Sequence, residues 1–171
     1  DGENSDDSSK WEFLKWQYSL NHLGKEIHMC MEGYCSAYIY WYLKRSYGLM
    51  GDTDKRSPTS EGEITKNGYI MAHYAQYATE TTRIKAVTNN EEVCATAYWD
   101  EKTGEVTIVL LNLNGASQWL EIPLAGIKKA SAVETNETKN MEVIDTGLME
   151  SAEGITVLLS ANSITSVRLT F

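Results

Sequence analysis

Apolar residues recur at spacings of three and four near the start of the chain, which predicts an amphipathic helix over residues 10–32. Ser9 and Glu12 have the spacing of a capping box ahead of it, and Gly33 provides a stop at its end. The positions on the apolar face are Phe13, Trp16, Leu20, Leu23 and Ile27.

The next segment has the two-residue period of a strand, predicted over 35–42. Apolar or aromatic residues occupy both of its faces, which is typical of a strand buried on both sides in a parallel sheet. A long loop over 48–62 follows, and then a second helix over 65–78. One such strand needs neighbours on both sides, so we expect 1–78 to be part of a larger α/β structure and the chain to be incomplete.

From about residue 79 short β-type runs alternate with turns, without a helical stretch between them, which predicts an antiparallel sandwich or barrel over 79–171. The last run alternates in a way that predicts a strand with one solvated face. The runs are 82–87, 93–99, 106–113, 118–124, 129–133, 141–146, 155–159 and 164–171.

Charge and composition narrow the possible partners. The net charge of −9, from 24 acidic and 15 basic residues, argues against nucleic acid, and no apolar run is long enough for a membrane span. Cys30, Cys35 and Cys94 lack metal-ligand spacing, so we expect buried small side chains and neither metal nor cofactor. A lone helical histidine such as His73 is interpreted as hydrogen-bonded structure.

The candidate chemistry lies at the end of the predicted strand, in Trp41, Arg45 and Tyr47. Aromatic faces suit the C–H surfaces of a sugar, and a guanidinium suits a carboxylate in two parallel bonds. The residues therefore favour a sugar ligand with an acidic substituent. The alternative is that the tyrosines belong to a core and Arg45 is a solvated loop cation.

Three segments resemble glycoside hydrolase family 30, most closely its bacterial glucuronoxylanase branch. They are Gly24-Lys25-Glu26-Ile27-His28, the run from Tyr38 to Gly48, and the run from Thr65 to Tyr74. The resemblance implies a (β/α)8 TIM barrel with an attached antiparallel β-sandwich side domain. This chain would supply helix 7 (10–32), strand 8 (35–42) and helix 8 (65–78) in residues 1–78, and the sandwich in 79–171.

The resemblance also implies a retaining endo-β-1,4-xylanase that acts on glucuronoxylan outside the cell. By the pattern of the family, both catalytic carboxylates would precede residue 1, on a missing or separate N-terminal portion that would associate with this chain without a covalent link. Glu12, Glu26 and Glu32 fall on an outer helix, and no Glu or Asp ends the strand at 35–42. We therefore expect no catalytic residue in this chain and no hydrolysis by the chain alone.

The matching motif positions carry over part of a substrate site. Trp41 corresponds to the sugar-stacking residue, Arg45 to the one that binds the glucuronic acid carboxylate, and Tyr47 to one that holds the branch. A competing reading is a stand-alone carbohydrate-binding sandwich that uses Trp99 and Trp119. A structural or interaction domain is a third reading, which no feature of the sequence specifically favours.

Overall fold

A computed structural model of the chain describes residues 15–54, 59–144, 148–151 and 154–171. The first helical stretch consists of α1 (Trp16–Ser19), a π-helical segment (Leu20–Gly24) and α2 (Lys25–Glu32). It confirms the predicted first helix from residue 16 onward, whereas residues 10–14 and the capping box lie outside the described residues. Helix α3 (Lys66–Ala75) confirms the second predicted helix, and the Thr65 side chain caps its N-terminus.

Nine antiparallel strands follow in the described part of the chain. One sheet has six strands in the order β1-β2-β3-β9-β5-β6, and the other has three in the order β4-β8-β7. The antiparallel sheets predicted for this half are confirmed, and only β7 had no counterpart in the prediction. The strands are β1 (Thr82–Ile84), β2 (Val93–Trp99), β3 (Val106–Asn112), β4 (Gln118–Ile122), β5 (Lys129–Thr135), β6 (Glu142–Val143), β7 (Leu148–Ser151), β8 (Gly154–Leu159) and β9 (Ser163–Thr170).

An apolar core lies between the two sheets. Because side chains alternate across a strand, one face of each strand can be buried in this core. The six-stranded sheet contributes Val93, Ala97, Ile108, Leu110, Ala132, Val167 and Leu169, and the three-stranded sheet contributes Ile122, Ile155, Val157 and Leu159.

A second core covers the other face of the six-stranded sheet with the helices, so the chain has three layers. From the helices it contains Trp16, Leu20, Leu23, Ile27, Ile70 and Tyr74, and from the sheet Tyr98, Val109, Leu111 and Ile164. The prediction that one face of the last strand is solvated is therefore wrong for Ile164 and Ser166 and holds only toward the end of the strand, at Arg168. Ile164 and Ser166 on that face are 0% and 1% exposed, because helix α3 packs across them.

The predicted strand at 35–42 is not formed. Ile39 is 91% exposed and Trp41 is 70% exposed, in contrast to the burial predicted for the strand. The described residues offer no neighbouring strand to this segment, and an extended backbone becomes a strand only when its donors and acceptors are paired. Of the barrel implied by the resemblance, the described part of the chain thus forms two helices and no strand.

Two expectations about single residues have opposite outcomes. The cysteines are not all buried, since Cys35 is exposed and Cys30 and Cys94 are half-buried. Cys35 follows the end of α2, where the chain leaves the packed face of the helix. His73 is confirmed as hydrogen-bonded structure, with Nδ1 2.8 Å from Ser166 Oγ and Nε2 2.9 Å from Thr135 Oγ1. No helix in the described ranges is long and apolar enough to cross a membrane.

Candidate substrate-binding site

The chain folds back on itself between Tyr42 and Met50. The N–H of Gly48 donates to the carbonyl of Arg45 over 2.9 Å, and the N–H of Met50 donates to the carbonyl of Leu43 over 2.8 Å. A Cβ atom on Gly48 would lie 2.7 Å from the Arg45 nitrogen, closer than such atoms approach. Glycine at position 48 is therefore required for this tight turn.

The N-terminal end of helix α3 holds the turn in place. The Thr65 hydroxyl donates to the carbonyl of Gly48 over 2.7 Å, and the Asn67 side-chain amide donates to the carbonyl of Tyr47 over 3.0 Å. The Tyr40 hydroxyl donates to the same Tyr47 carbonyl over 2.6 Å. Thr65 and Asn67 are buried, so the turn is tied to the packed part of the structure although its own surface is open.

Tyr42 is the centre of an aromatic cluster on this turn. Its ring lies 4.3 Å from that of Trp41 and 6.3 Å from that of Tyr47, measured between centroids, and Arg45 Cζ lies 5.0 Å from the Tyr42 centroid. The structure thus brings the three predicted site residues together. Sequence reasoning missed Tyr42, because an aromatic residue within the predicted strand is expected to be buried in a core.

The cluster is open to solvent and carries an available cation. Trp41 is 70% exposed and Tyr47 is 37% exposed. Lys44 pairs with Glu61 over 2.6 Å, whereas no carboxylate among the described residues pairs with the Arg45 guanidinium. Exposed ring faces beside a planar cation can stack on a sugar and bind a carboxylate in two parallel hydrogen bonds.

Burial keeps the tyrosine that supports the turn in its neutral form. It raises the pKa of the Tyr40 hydroxyl, and this outweighs the lowering effect of the Asn67 hydrogen bond. A hydroxyl that stays protonated continues to donate to the Tyr47 carbonyl at neutral and mildly alkaline pH. We therefore expect the position of Tyr47 to be insensitive to pH in that range.

Comparison with known proteins gives consistent relatives, although no protein-family model matches the chain. Two curated Bacillus subtilis proteins, both named Glucuronoxylanase XynC, are 31% identical to it. One match extends over 157 residues, which are 89% of this chain and 34% of the relative. The other extends over 143 residues, which are 81% of this chain and 31% of the relative. The chain thus spans about a third of the length of these curated relatives.

Solved structures agree with this relationship. The glycoside hydrolase family 30 subfamily 8 xylanase Xyn30A from Clostridium acetobutylicum has a TM-score of 0.78 at 22% identity, over 92% of this chain and 40% of that one. A family 30 endoxylanase from Clostridium papyrosolvens C71 has a TM-score of 0.77 at 24% identity, over 92% and 39%. These matches confirm the resemblance to glycoside hydrolase family 30. The likeness to family 30 structures establishes the fold of this part of the chain.

Two of the three glutamates considered as catalytic carboxylates contact other side chains in this structure. Glu26 accepts a hydrogen bond from the Tyr38 hydroxyl over 3.0 Å, and Glu32 lies 3.9 Å from His28 Nε2. Glu12 lies outside the described residues. That the catalytic pair of a family 30 enzyme lies beyond this chain stays a prediction. Within the described ranges no three His, Cys, Asp or Glu side chains are grouped to hold a metal ion.

Proposed function

We propose that the chain is the C-terminal portion of a retaining endo-β-1,4-xylanase that acts on glucuronoxylan outside the cell. The catalytic carboxylates belong to an N-terminal portion, and this chain supplies the recognition site for the glucuronic acid branch. The observation that carries the proposal is the exposed cluster of Trp41, Tyr42 and Tyr47 around an Arg45 guanidinium that no described carboxylate occupies.

Each side chain has a role that follows from its chemistry. Trp41 offers the broadest exposed ring face and stacks on a sugar of the chain. Arg45 binds the carboxylate of the branch, because its planar fork matches two carboxylate oxygens. Tyr47 helps to hold the branch, and Tyr42 lies between Arg45 and Tyr47 in the cluster, with the Arg45 guanidinium over its ring and the Tyr47 ring 6.3 Å away.

The segment from 36 to 43 supports the proposed partner. It pairs with no strand in the described structure, and Ile39 and Leu43 within it are exposed. A pairing edge with apolar side chains is a surface that other strands cover. In the proposal, barrel strands of the N-terminal portion pair with this segment without a covalent link to the chain.

The test compares two substrates with the chain assembled on its N-terminal portion. Arg45→Ala should lower kcat/KM on glucuronoxylan and leave activity on unbranched xylan nearly unchanged. Loss of one charge-assisted contact costs about 1.5–3 kcal/mol, or about one to two decades in rate.

A matched control is available in Arg168 on β9, whose guanidinium also lies over a tyrosine, 5.7 Å from the Tyr77 centroid. Arg168→Ala removes the same charge from another part of the chain and should leave the ratio of the two activities unchanged. Equal losses on both substrates with Arg45→Ala would refute the assignment of the branch carboxylate to Arg45.

A second candidate is a carbohydrate-binding module that acts without the barrel. It is favoured by Trp119, which is 55% exposed on β4. Trp99 is 41% exposed at the end of β2, in the other sheet, so the two tryptophans do not share one sheet face. Affinity electrophoresis of the isolated chain on xylan and cellulose tests this function. Retardation lost in Trp119→Ala and kept in Trp41→Ala would favour it over the enzyme proposal.

A further inference from the structure

Helix α2 ends in a Schellman motif. Gly33 is the C-cap residue of the helix, and Tyr34 follows it in the left-handed region with φ of 58°. The N–H of Tyr34 donates to the carbonyl of Met31 over 3.1 Å, and the N–H of Cys35 donates to the carbonyl of Cys30 over 3.0 Å. These are the two hydrogen bonds that define the motif.

This ending brings two thiols together. In a Schellman motif the residue that donates the outer hydrogen bond frequently packs its side chain against that of the residue whose carbonyl accepts the bond, or of the residue before it. Here those residues are Cys35 and Cys30, both free thiols. Burial raises the pKa of Cys30, and the neighbouring Cys35 thiol raises it further.

We propose that Cys30 and Cys35 form an intramolecular disulfide across the end of helix α2 when the protein meets a disulfide oxidant such as oxidised glutathione. The outer hydrogen bond keeps the two backbones close, as disulfide geometry requires. Cys94 lies on β2 and remains the free thiol. The odd number of cysteines is thereby resolved into one pair and one single residue.

The reaction is a pair of thiol–disulfide exchanges. The exposed Cys35 thiolate attacks one sulfur of oxidised glutathione, which forms a mixed disulfide and releases one glutathione thiolate. The Cys30 thiolate then attacks Sγ of Cys35 and displaces the second glutathione. Two protein thiols are oxidised and one glutathione disulfide is reduced, and the two protons lost by the protein thiols are taken up by the two glutathione thiolates that leave.

The bond has a structural consequence for the segment that follows. Residues 36–43 start immediately after Cys35 and include Trp41. A covalent link to Cys30 ties the start of this segment to helix α2, whose Ile27 is fully buried against the sheet. The disulfide therefore limits how far the segment can move from the helix.

The experiment treats the folded chain with oxidised glutathione, alkylates the remaining thiols and cleaves after glutamate. Cleavage after Glu32 separates Cys30 from Cys35, so a disulfide holds the two peptides together. We expect a protein that has lost the mass of two hydrogens, with the peptides of Cys30 and Cys35 linked and Cys94 alkylated.

Two variants control the result. Cys94→Ser should give the same linked peptides, whereas Cys35→Ser should give none, and both can be checked for folding by circular dichroism. Alkylation of both Cys30 and Cys35, a lasting glutathione adduct on Cys35, or a link to Cys94 would each overturn the proposal.

Discussion

The His73 imidazole makes the stability of the chain depend on pH. It lies on α3, is 0% exposed, and bridges Ser166 on β9 and Thr135 on β5 through its two ring nitrogens. Burial lowers its pKa from 6.5 to about 3. The folded protein therefore keeps the ring neutral at pH values where the unfolded chain binds a proton.

The direction of the effect follows from linkage. Because the folded-state pKa is the lower one, the stabilisation is complete above the unfolded pKa and is lost as the pH falls from about 6.5 toward about 3. Each pH unit inside that window costs about 1.4 kcal/mol. Between pH 7 and pH 4.5 the contribution of His73 therefore falls by about 2.5 kcal/mol.

His73→Gln removes the titration and keeps a side chain that can donate and accept. The free energy of unfolding, measured by urea titration at both pH values, should fall by about 2.5 kcal/mol more in the wild type than in the variant. His28, whose pKa burial also lowers, is present in both proteins and cancels in the difference.

Equal pH dependence of the two proteins would refute the reasoning. If the variant does not fold, the His73 ring signal in NMR gives an independent test. Its chemical shift should stay that of a neutral imidazole at pH 4.5, and a protonated ring at that pH would contradict the prediction.

Three further predictions concern the packing that supports the site and the sheets. Thr65→Ala removes the capping hydroxyl that accepts a hydrogen bond from the N–H of Gly68 over 3.1 Å, and should lower the free energy of unfolding by about 1–2 kcal/mol. Thr65→Ser keeps a hydroxyl at this position and should retain most of the stability. Gly68→Ala places a Cβ atom against the backbone at the end of the site turn and should lower stability and sugar binding together. Gly115→Ala meets only one side-chain atom at 4.0 Å and should cost under about 1 kcal/mol in an unfolding titration, so equal losses in these two variants would contradict the packing argument. Glu134→Ala removes a fully buried carboxylate that accepts several hydrogen bonds and should cost about 3 kcal/mol, against under about 1 kcal/mol for Glu105→Ala in a surface ion pair; similar thermal unfolding of the two variants would count against it.

Local patterns in the sequence were sufficient for most elements. Spacings of three and four located both helices, whereas the S-x-x-E box and Phe13 of the apolar face lie outside the described residues. The strand at 93–99 was predicted with the bounds that the structure has. The aromatic run with Arg45 was also enough to propose a candidate site, whose role stays a prediction. Each of these signals depends on neighbours along the chain, which the sequence contains directly.

Contacts between distant residues decided the rest. The face of β9 that includes Ser166 is covered because α3 packs on it. A serine at such a position indicates exposure to solvent when only the sequence is considered, but here its hydroxyl is buried and has a hydrogen-bond partner in His73. The segment at 35–42 has the composition of a buried strand, yet a strand also requires partners for its backbone. The central position of Tyr42 and the meeting of Cys30 with Cys35 follow from how the chain turns back at two places. Residue type and period describe what a side chain prefers, whereas the tertiary structure decides which surface covers it.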